Sequence, residues 1–308
     1  MFLLAALFCA VSGHAQLKHN FGLWLEGAEW SMLPQESELQ TSMGEAGGLG
    51  FAYELQKNHF IFQTGLGVLY GQSGFRTPNA IDSVPGAIDN DGEVFTYIYD
   101  MRNRRDNYTN IAAQIPLLIG GQWNRFYFLL GAKVTLNVIQ SANVTGNLTS
   151  YGLYKQYDDF KDMREYQFFN DKPVAYPSKV NFNSFDVDGS AEIGVRLGYL
   201  PSATGFDVPK TRVQYRLALF ADYGIFDIHT PAKKTPMTVP GLYNSQDMLS
   251  GLGMNDYLST ENAAKQVNSL LVGVKFTMLF ELPGPRYCVM CQEHRLSNRR
   301  GGTKIGED

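Results

Sequence analysis

Apolar side chains recur at every second residue through eight separate stretches of this chain. That period restricts each stretch to an extended strand with two chemically different faces. The stretches are residues 20–32, 45–55, 59–71, 108–123, 126–138, 186–199, 212–226 and 269–280. In 126–138, Phe126, Phe128, Leu130, Ala132, Val134 and Leu136 share one face, and Tyr127, Leu129, Gly131, Lys133, Thr135 and Asn137 share the other. In 186–199 the split is sharper: Ala191, Ile193, Val195 and Leu197 stand against Asp188, Ser190, Glu192 and Arg196. In 59–71, Phe60, Phe62, Leu66, Val68 and Tyr70 carry aromatic rings at both ends of the apolar face. The register of the first stretch is the least defined, because Trp24 and Trp30 fall on the face that carries Glu26.

The connectors fall into two classes. Residues 56–58 and 124–125 are tight links and 200–211 is modest, whereas 33–44, 72–107, 139–185 and 227–268 are long. Short and long links alternate along the chain. A transmembrane barrel has this asymmetry, with short turns on the periplasmic side and long loops outside. Strands of about 11 to 16 residues suit a tilted crossing. The expected fold is therefore all-β, an antiparallel transmembrane β-barrel of eight strands with both termini in the periplasm.

The N-terminal sequence agrees with export. Phe2 to Val11 is a short apolar run, followed by Ser12, Gly13, His14 and Ala15. It is shorter than the roughly 20 residues a helix needs to cross a bilayer, and Gly13 and Ala15 fit the small-residue pattern of signal cleavage. No Lys or Arg precedes the run. Cys9 follows Phe8 rather than a small residue, which argues against a lipoprotein. The expected division is a signal peptide over 1–15, a barrel over 16–280, and a basic periplasmic tail without fixed structure over 281–308.

Composition enters as a test of this reading. Aromatic residues make up 13% of the chain, as interfacial girdles require. A mean hydropathy of -0.20 is compatible with a barrel, which turns only one strand face to lipid. The formal net charge of -4 gives no sign of nucleic-acid binding. Once the signal is cleaved, Cys288 and Cys291 are the remaining cysteines.

The faces expected to point inward carry Glu26, Glu54, Gln63, Gln114, Lys133, Glu192, Arg196, Arg216, Asp222 and Lys275. An eight-stranded barrel is just wide enough for side chains to fill, and enclosed charges must pair or neutralise. A luminal charge network is expected around Lys133, Glu192 and Arg196, with Glu26 and Lys275 as further members. Such a network serves as a structural plug or as a selectivity filter; the narrowness of the barrel favours the plug. Catalysis has weaker support: Asp227 and His229 adjoin, but no nucleophilic serine accompanies them. No cofactor or metal site is expected. Asp158 and Asp159 are read as a solvated loop face rather than a calcium site, and the Asn143 and Asn147 sequons carry little weight. In the tail, Cys288, Cys291 and His294 form C-x-x-C-x-x-H, one ligand short of a structural zinc site. A local disulfide between Cys288 and Cys291 fits an oxidising compartment better.

The stretches Ile111-Ala112-Ala113-Gln114-Ile115-Pro116-Leu117-Leu118-Ile119-Gly120, Phe126-Tyr127-Phe128 and Gly131-Ala132-Lys133 resemble the N-terminal barrel of Bacteroidetes-type OmpA-like outer-membrane proteins. Glu192-Ile193-Gly194-Val195-Arg196, Asp222-Tyr223-Gly224 and Val272-Gly273-Val274-Lys275 do so as well. The chain departs from that family at Gln114, where relatives often carry Glu, and in having no room after 281 for a peptidoglycan-binding domain. The resemblance implies a non-enzymatic outer-membrane protein of structural or accessory role. Outer-membrane lipid, the barrel assembly machinery and an envelope protein are its expected partners, and nucleic acid is not. The alternatives are a binding module that uses its outer loops, where Tyr151, Tyr154, Tyr157 and Phe160 lie among charges, and a small porin-like channel.

Overall fold

The computed structural model describes residues 17–35, 39–88, 91–162, 170–178, 182–197, 199–200, 208–209, 213–228 and 266–282. The expected signal peptide, His229, His294 and the Cys288/Cys291 pair lie outside the described residues. The strands are β1 (Lys18–Gln35), β2 (Gln40–Ser42), β3 (Gly44–Lys57), β4 (Phe60–Ile88), β5 (Val94–Trp123), β6 (Phe126–Tyr154), β7 (Phe160–Asp162), β8 (Lys172–Ser178), β9 (Phe185–Leu197), β10 (Tyr199–Leu200), β11 (Val208–Pro209), β12 (Val213–Gly224) and β13 (Gln266–Glu281). A single 3₁₀ turn (Lys155–Tyr157) is the one helical element among the described residues.

Eight of these strands form a closed antiparallel ring in the order β4-β3-β1-β13-β12-β9-β6-β5, with β5 returning to β4. Closure is made by the first and last long strands. β1 pairs with β13 from Asn20↔Glu281 to Gln35↔Gln266. Each then pairs on its other side, β1 with β3 and β13 with β12, so neither presents an open edge. β13 runs one residue past 280. Glu281 continues β13, its carboxylate lies 3.4 Å from Lys18 Nζ, and the Leu282 amide donates to the His19 carbonyl.

At one end of the ring the turns are tight. Asn58 and Asn124 take the left-handed conformation, at φ 54° and φ 52°, which asparagine tolerates better than most residues. These turns connect β3 to β4 and β5 to β6. β9 and β12 are linked on the same side through the small β10–β11 hairpin. At the opposite end the expectation of long loops over 72–107 and 139–185 is overturned. β4 continues to Ile88, β5 begins at Val94, and β6 runs to Tyr154. These strands stay paired far beyond the ring, from Gly71↔Asn110 out to Ile88↔Val94, with β7 and β8 added along β6.

The reason is a second stretch of alternation interrupted by turn-type residues. Phe95, Tyr97, Tyr99 and Met101 are buried on one face of β5, and Leu148, Ser150 and Tyr154 on β6 join them. Tyr97 and Tyr99 have ring centroids 4.5 Å apart. Burial raises the Tyr97 phenol above its ordinary range, and the hydroxyl lies 3.1 Å from Ser150 Oγ. Arg102, Asn103, Arg104 and Arg105 break the apolar pattern in sequence. In space they sit at a register shift, where Asn103 has φ 51° and Arg104 is paired with Asp106 at 2.8 Å.

The two faces of the ring are inverted relative to a water-soluble core. Leu23, Leu25, Leu49, Leu66, Ile193, Leu217, Leu219 and Val274 are exposed on the outside. Glu26, Glu54, Lys133, Glu192, Arg196, Arg216, Asp222 and Lys275 are buried inside. The open question of β1 is resolved by volume: both tryptophans point inward beside Glu26, into space cleared by glycines. A Cβ on Gly67 would stand 2.1 Å from Trp24 Cζ2, and one on Gly71 would stand 2.8 Å from Trp30 Cε3.

Candidate functional site

The interior of the ring is the candidate site, and it is arranged in tiers along the axis. Strand parity places every charged side chain named here, since residues at i and i+2 share a face.

The tier nearest the tight turns is centred on Glu54 of β3. Both terminal guanidinium nitrogens of Arg216 donate to its carboxylate, Nη1 to Oε2 at 2.5 Å and Nη2 to Oε1 at 2.6 Å. Arg196 Nη2 lies 3.6 Å from Oε1, and Asn20 Nδ2 donates to the same oxygen at 2.9 Å. Arg196 and Arg216 are register partners on β9 and β12. Two like charges directly opposite repel, and Glu54, reaching across from β3, lies between them in charge. The bidentate fork is the geometry in which arginine holds a carboxylate most strongly. Arg216 also stacks over the Tyr127 ring at 4.9 Å.

The middle tier holds Lys133, Asp222, Glu26, Glu192 and Lys275. Lys133 Nζ donates to Asp222 Oδ2 at 2.6 Å and lies 3.8 Å from Glu26 Oε2. Lys275 Nζ donates to Glu192 Oε2 at 2.8 Å, and the Tyr127 hydroxyl donates to Glu192 Oε1 at 2.7 Å. The two lysines also face aromatic rings, Lys133 over Phe220 at 4.7 Å and Lys275 over Trp24 at 5.6 Å. Lys133 is on β6 and Glu26 on β1, four steps around the eight-membered ring. That contact therefore crosses the interior rather than running along its wall.

The third tier lies toward the long-strand end. Asp186 and Asp188 of β9 are buried beside Asn110, Gln114, Thr135, Asn137 and Ser269. Thr135 Oγ1 donates to Asp188 Oδ2 at 2.7 Å, and Trp30 Nε1 donates to Ser269 Oγ at 3.0 Å. Phe182 and Ile228 line the same cavity as these side chains.

All five residues expected to form the network are in the interior, but they divide between two tiers. Lys133, Glu192, Glu26 and Lys275 share the middle tier, while Arg196 belongs with Glu54 below. The expectation left three principal partners outside the network: Glu54, Arg216 and Asp222. Tyr127 and Asp188, which the alternation puts on the faces of Lys133 and Glu192, are not among the expected members either, and neither is Asp186. Parity was the available signal for all six, since each lies an even number of residues from a network member on its strand or carries the inward charge of its own strand. Of the adjoining Asp227 and His229, the aspartate is described. Its Oδ1 accepts from the Val267 amide at 3.1 Å and its carbonyl accepts from Asn183 Nδ2 at 2.6 Å. These contacts tie the segments before β9 and after β12 to each other and to β13. Asp158 and Asp159 are exposed turn residues at φ 51° and φ 57°.

No protein-family model matches the chain, and none of the curated proteins searched matches it.

Proposed function

We propose that this chain is a non-enzymatic outer-membrane β-barrel of OmpA-like type, structural or accessory in role, with its tight turns and termini in the periplasm. The observation that carries the reading is the inversion of polarity across the ring wall. Each ring strand turns leucine, isoleucine, valine or aromatic side chains outward and ionised or amide side chains inward. Water would reward the opposite arrangement; hydrocarbon rewards this one, because a closed sheet also leaves no backbone group unpaired. Aromatic rings stand on the outer face toward both ends of the strands. Phe21 stacks on Phe51, Tyr215 on Phe276 and Trp123 on Phe128 near the tight turns, and Tyr70 and Tyr223 face out near the other end.

Ion pairs that cross the interior favour a plug over a pore. Lys133 and Arg216 each bridge strands on different sides of the ring, so a continuous water column would have to displace paired charges. The extended β4–β5–β6 sheet, with its own buried tyrosine cluster, supports the second reading, a rigid outer platform that binds a partner or ligand.

The test is biochemical. The full chain should fractionate with outer membrane and show heat-modifiable gel migration, and in planar bilayers it should give no stable conductance. A stable, detergent-free monomer recovered from the soluble periplasm would refute the membrane reading. Large reproducible single-channel currents would replace the plug with a pore.

A further inference from the structure

Among the described residues the upper tier has an unbalanced charge. In the two tiers below, Glu26, Glu54, Glu192 and Asp222 are matched by Lys133, Lys275, Arg196 and Arg216. Asp186 and Asp188, 4% exposed each, have no ion pair with a basic side chain among the described residues. Lys133, the register partner of Asp188, directs its ammonium to Asp222 instead.

Hydrogen bonding leaves the same tier short of donors. Among the described residues the Asp186 carboxylate receives only backbone amides, from Val187 at 2.7 Å and from Phe226. Thr135 has committed its hydroxyl to Asp188. Asn110 and Asn137 have committed amide protons elsewhere, Asn110 Nδ2 to Asn137 Oδ1 at 2.6 Å and Asn137 Nδ2 to the Asn183 carbonyl at 2.7 Å. Two amide oxygens, Asn110 Oδ1 and Gln114 Oε1, are buried with no hydrogen-bond partner among the described residues. Their residues are 8% and 2% exposed, and both line a cavity of about 30 Å³ together with Asp186 and Asp188. A buried acceptor without a donor is destabilising, so two such acceptors facing one cavity with two carboxylates point to a missing positive charge.

We infer that Asp186, Asp188, Asn110 and Gln114 form a hard-cation site at the outer end of the ring, with calcium as its ligand. All four donors are oxygens, the set that selects calcium or magnesium over transition metals. Calcium accepts carboxylate and amide oxygens in irregular arrangements, whereas magnesium demands a near-octahedral shell. The cavity has space for one ion with little water. Among the described residues no group of three or more His, Cys, Asp or Glu side chains is placed to hold a metal. The site therefore relies on two carboxylates and two amides, a low ligand charge that corresponds to weak binding, about 10⁻⁴–10⁻³ M as in extracellular modules. Phe182 and Ile228, contributed by the segments before β9 and after β12, also line the cavity, so a bound ion would also fix those segments to the ring.

The experiment uses the full purified chain folded in detergent micelles, with calcium chloride as the probe and the melting midpoint as the readout. For the unaltered protein, millimolar calcium should raise the midpoint over that in chelator, and equimolar magnesium should raise it less. Asp188→Asn should abolish the calcium-dependent rise. Gln114→Glu, which adds a third carboxylate at the same side-chain length, should produce the rise at a several-fold lower calcium concentration. Absence of the rise in the unaltered protein overturns the proposal. So does a rise whose calcium dependence either substitution leaves unchanged, which would place the ion elsewhere. The readout does not depend on whether the protein conducts or where it fractionates, so this site and the membrane reading fail separately.

Discussion

Glu54 shows how much of the molecule's stability one interior side chain organises. It is fully buried and holds both Arg216 and Arg196, so removing its charge would leave two guanidiniums enclosed with reduced compensation. Breaking a buried pair from one side costs about 3–5 kcal/mol, largely through the partner left behind. Glu54→Gln and Arg216→Met should each lower folded stability by about that amount. The double variant should lose less than the sum, because Arg196 keeps Gln56 Oε1 at 3.5 Å and no second charge is stranded. Denaturant unfolding in detergent, read as a double-mutant cycle, checks this; additive losses would show that the three groups do not act as a unit. At this scale the sequence makes the inward set legible through parity alone. It does not make the pairings legible. Lys133 meets Glu26 from four strands away, and Lys275 reaches Glu192 although its register partner is Glu26. Those choices follow from ring closure and stagger, which no local pattern encodes. The two tryptophans of β1 were ambiguous for a related reason: glycines on β3 and β4 make their space, and these belong to other strands.

The eight ring strands were legible as elements because each carries an uninterrupted period of two. The outer halves of β4, β5 and β6 were not. Gly86, Gly92, Pro78 and Pro85, with the run from Arg102 to Arg105, read as turn and loop chemistry. The structure accommodates them without ending the sheet. Pro78 has no register partner between Thr77↔Arg104 and Asn79↔Arg102, and Pro85 lies in the register shift between Val84 and Ala87. Beyond the short β2 contact at Gly74 to Arg76, β4 has no further strand on its other side among the described residues, and proline is tolerated on such an edge. The same prolines discourage edge-to-edge association. Because this outer sheet has its own aromatic cluster, it should be separable from the ring. Replacing 77–104 and 145–175 each with Asn-Gly joins positions already paired across β4–β5 and across β6–β8. The shortened protein should keep its heat-modifiable migration while losing any partner that binds the outer platform. Loss of folding on trimming would mean that the extension nucleates the ring.

At the scale of the whole molecule, the closed ring and its inverted faces make separate demands on the solvent. Closure removes sheet edges in any medium. The inversion is favourable only where the outside is apolar, so the environment of the outer wall is measurable at a single residue. Leu219 sits mid-strand on β12, between Ile193 of β9 and Val274 of β13, and all three face outward. Leu219 is 62% exposed and Ile193 is 63% exposed. If the wall faces water, Leu219→Arg changes an exposed position with no partner to lose, and stability should stay within about 0.5 kcal/mol. If the wall faces lipid, the guanidinium enters the hydrocarbon near its midplane at a cost of about 2–4 kcal/mol. The same substitution at the strand end, Tyr223→Arg, lies closer to the interface and should cost about 0–1 kcal/mol. Unfolding measured in phospholipid bilayers should therefore show a large loss at 219 and a small one at 223. Equal and negligible losses at both positions would remove the membrane from the account of this fold, whatever its interior does.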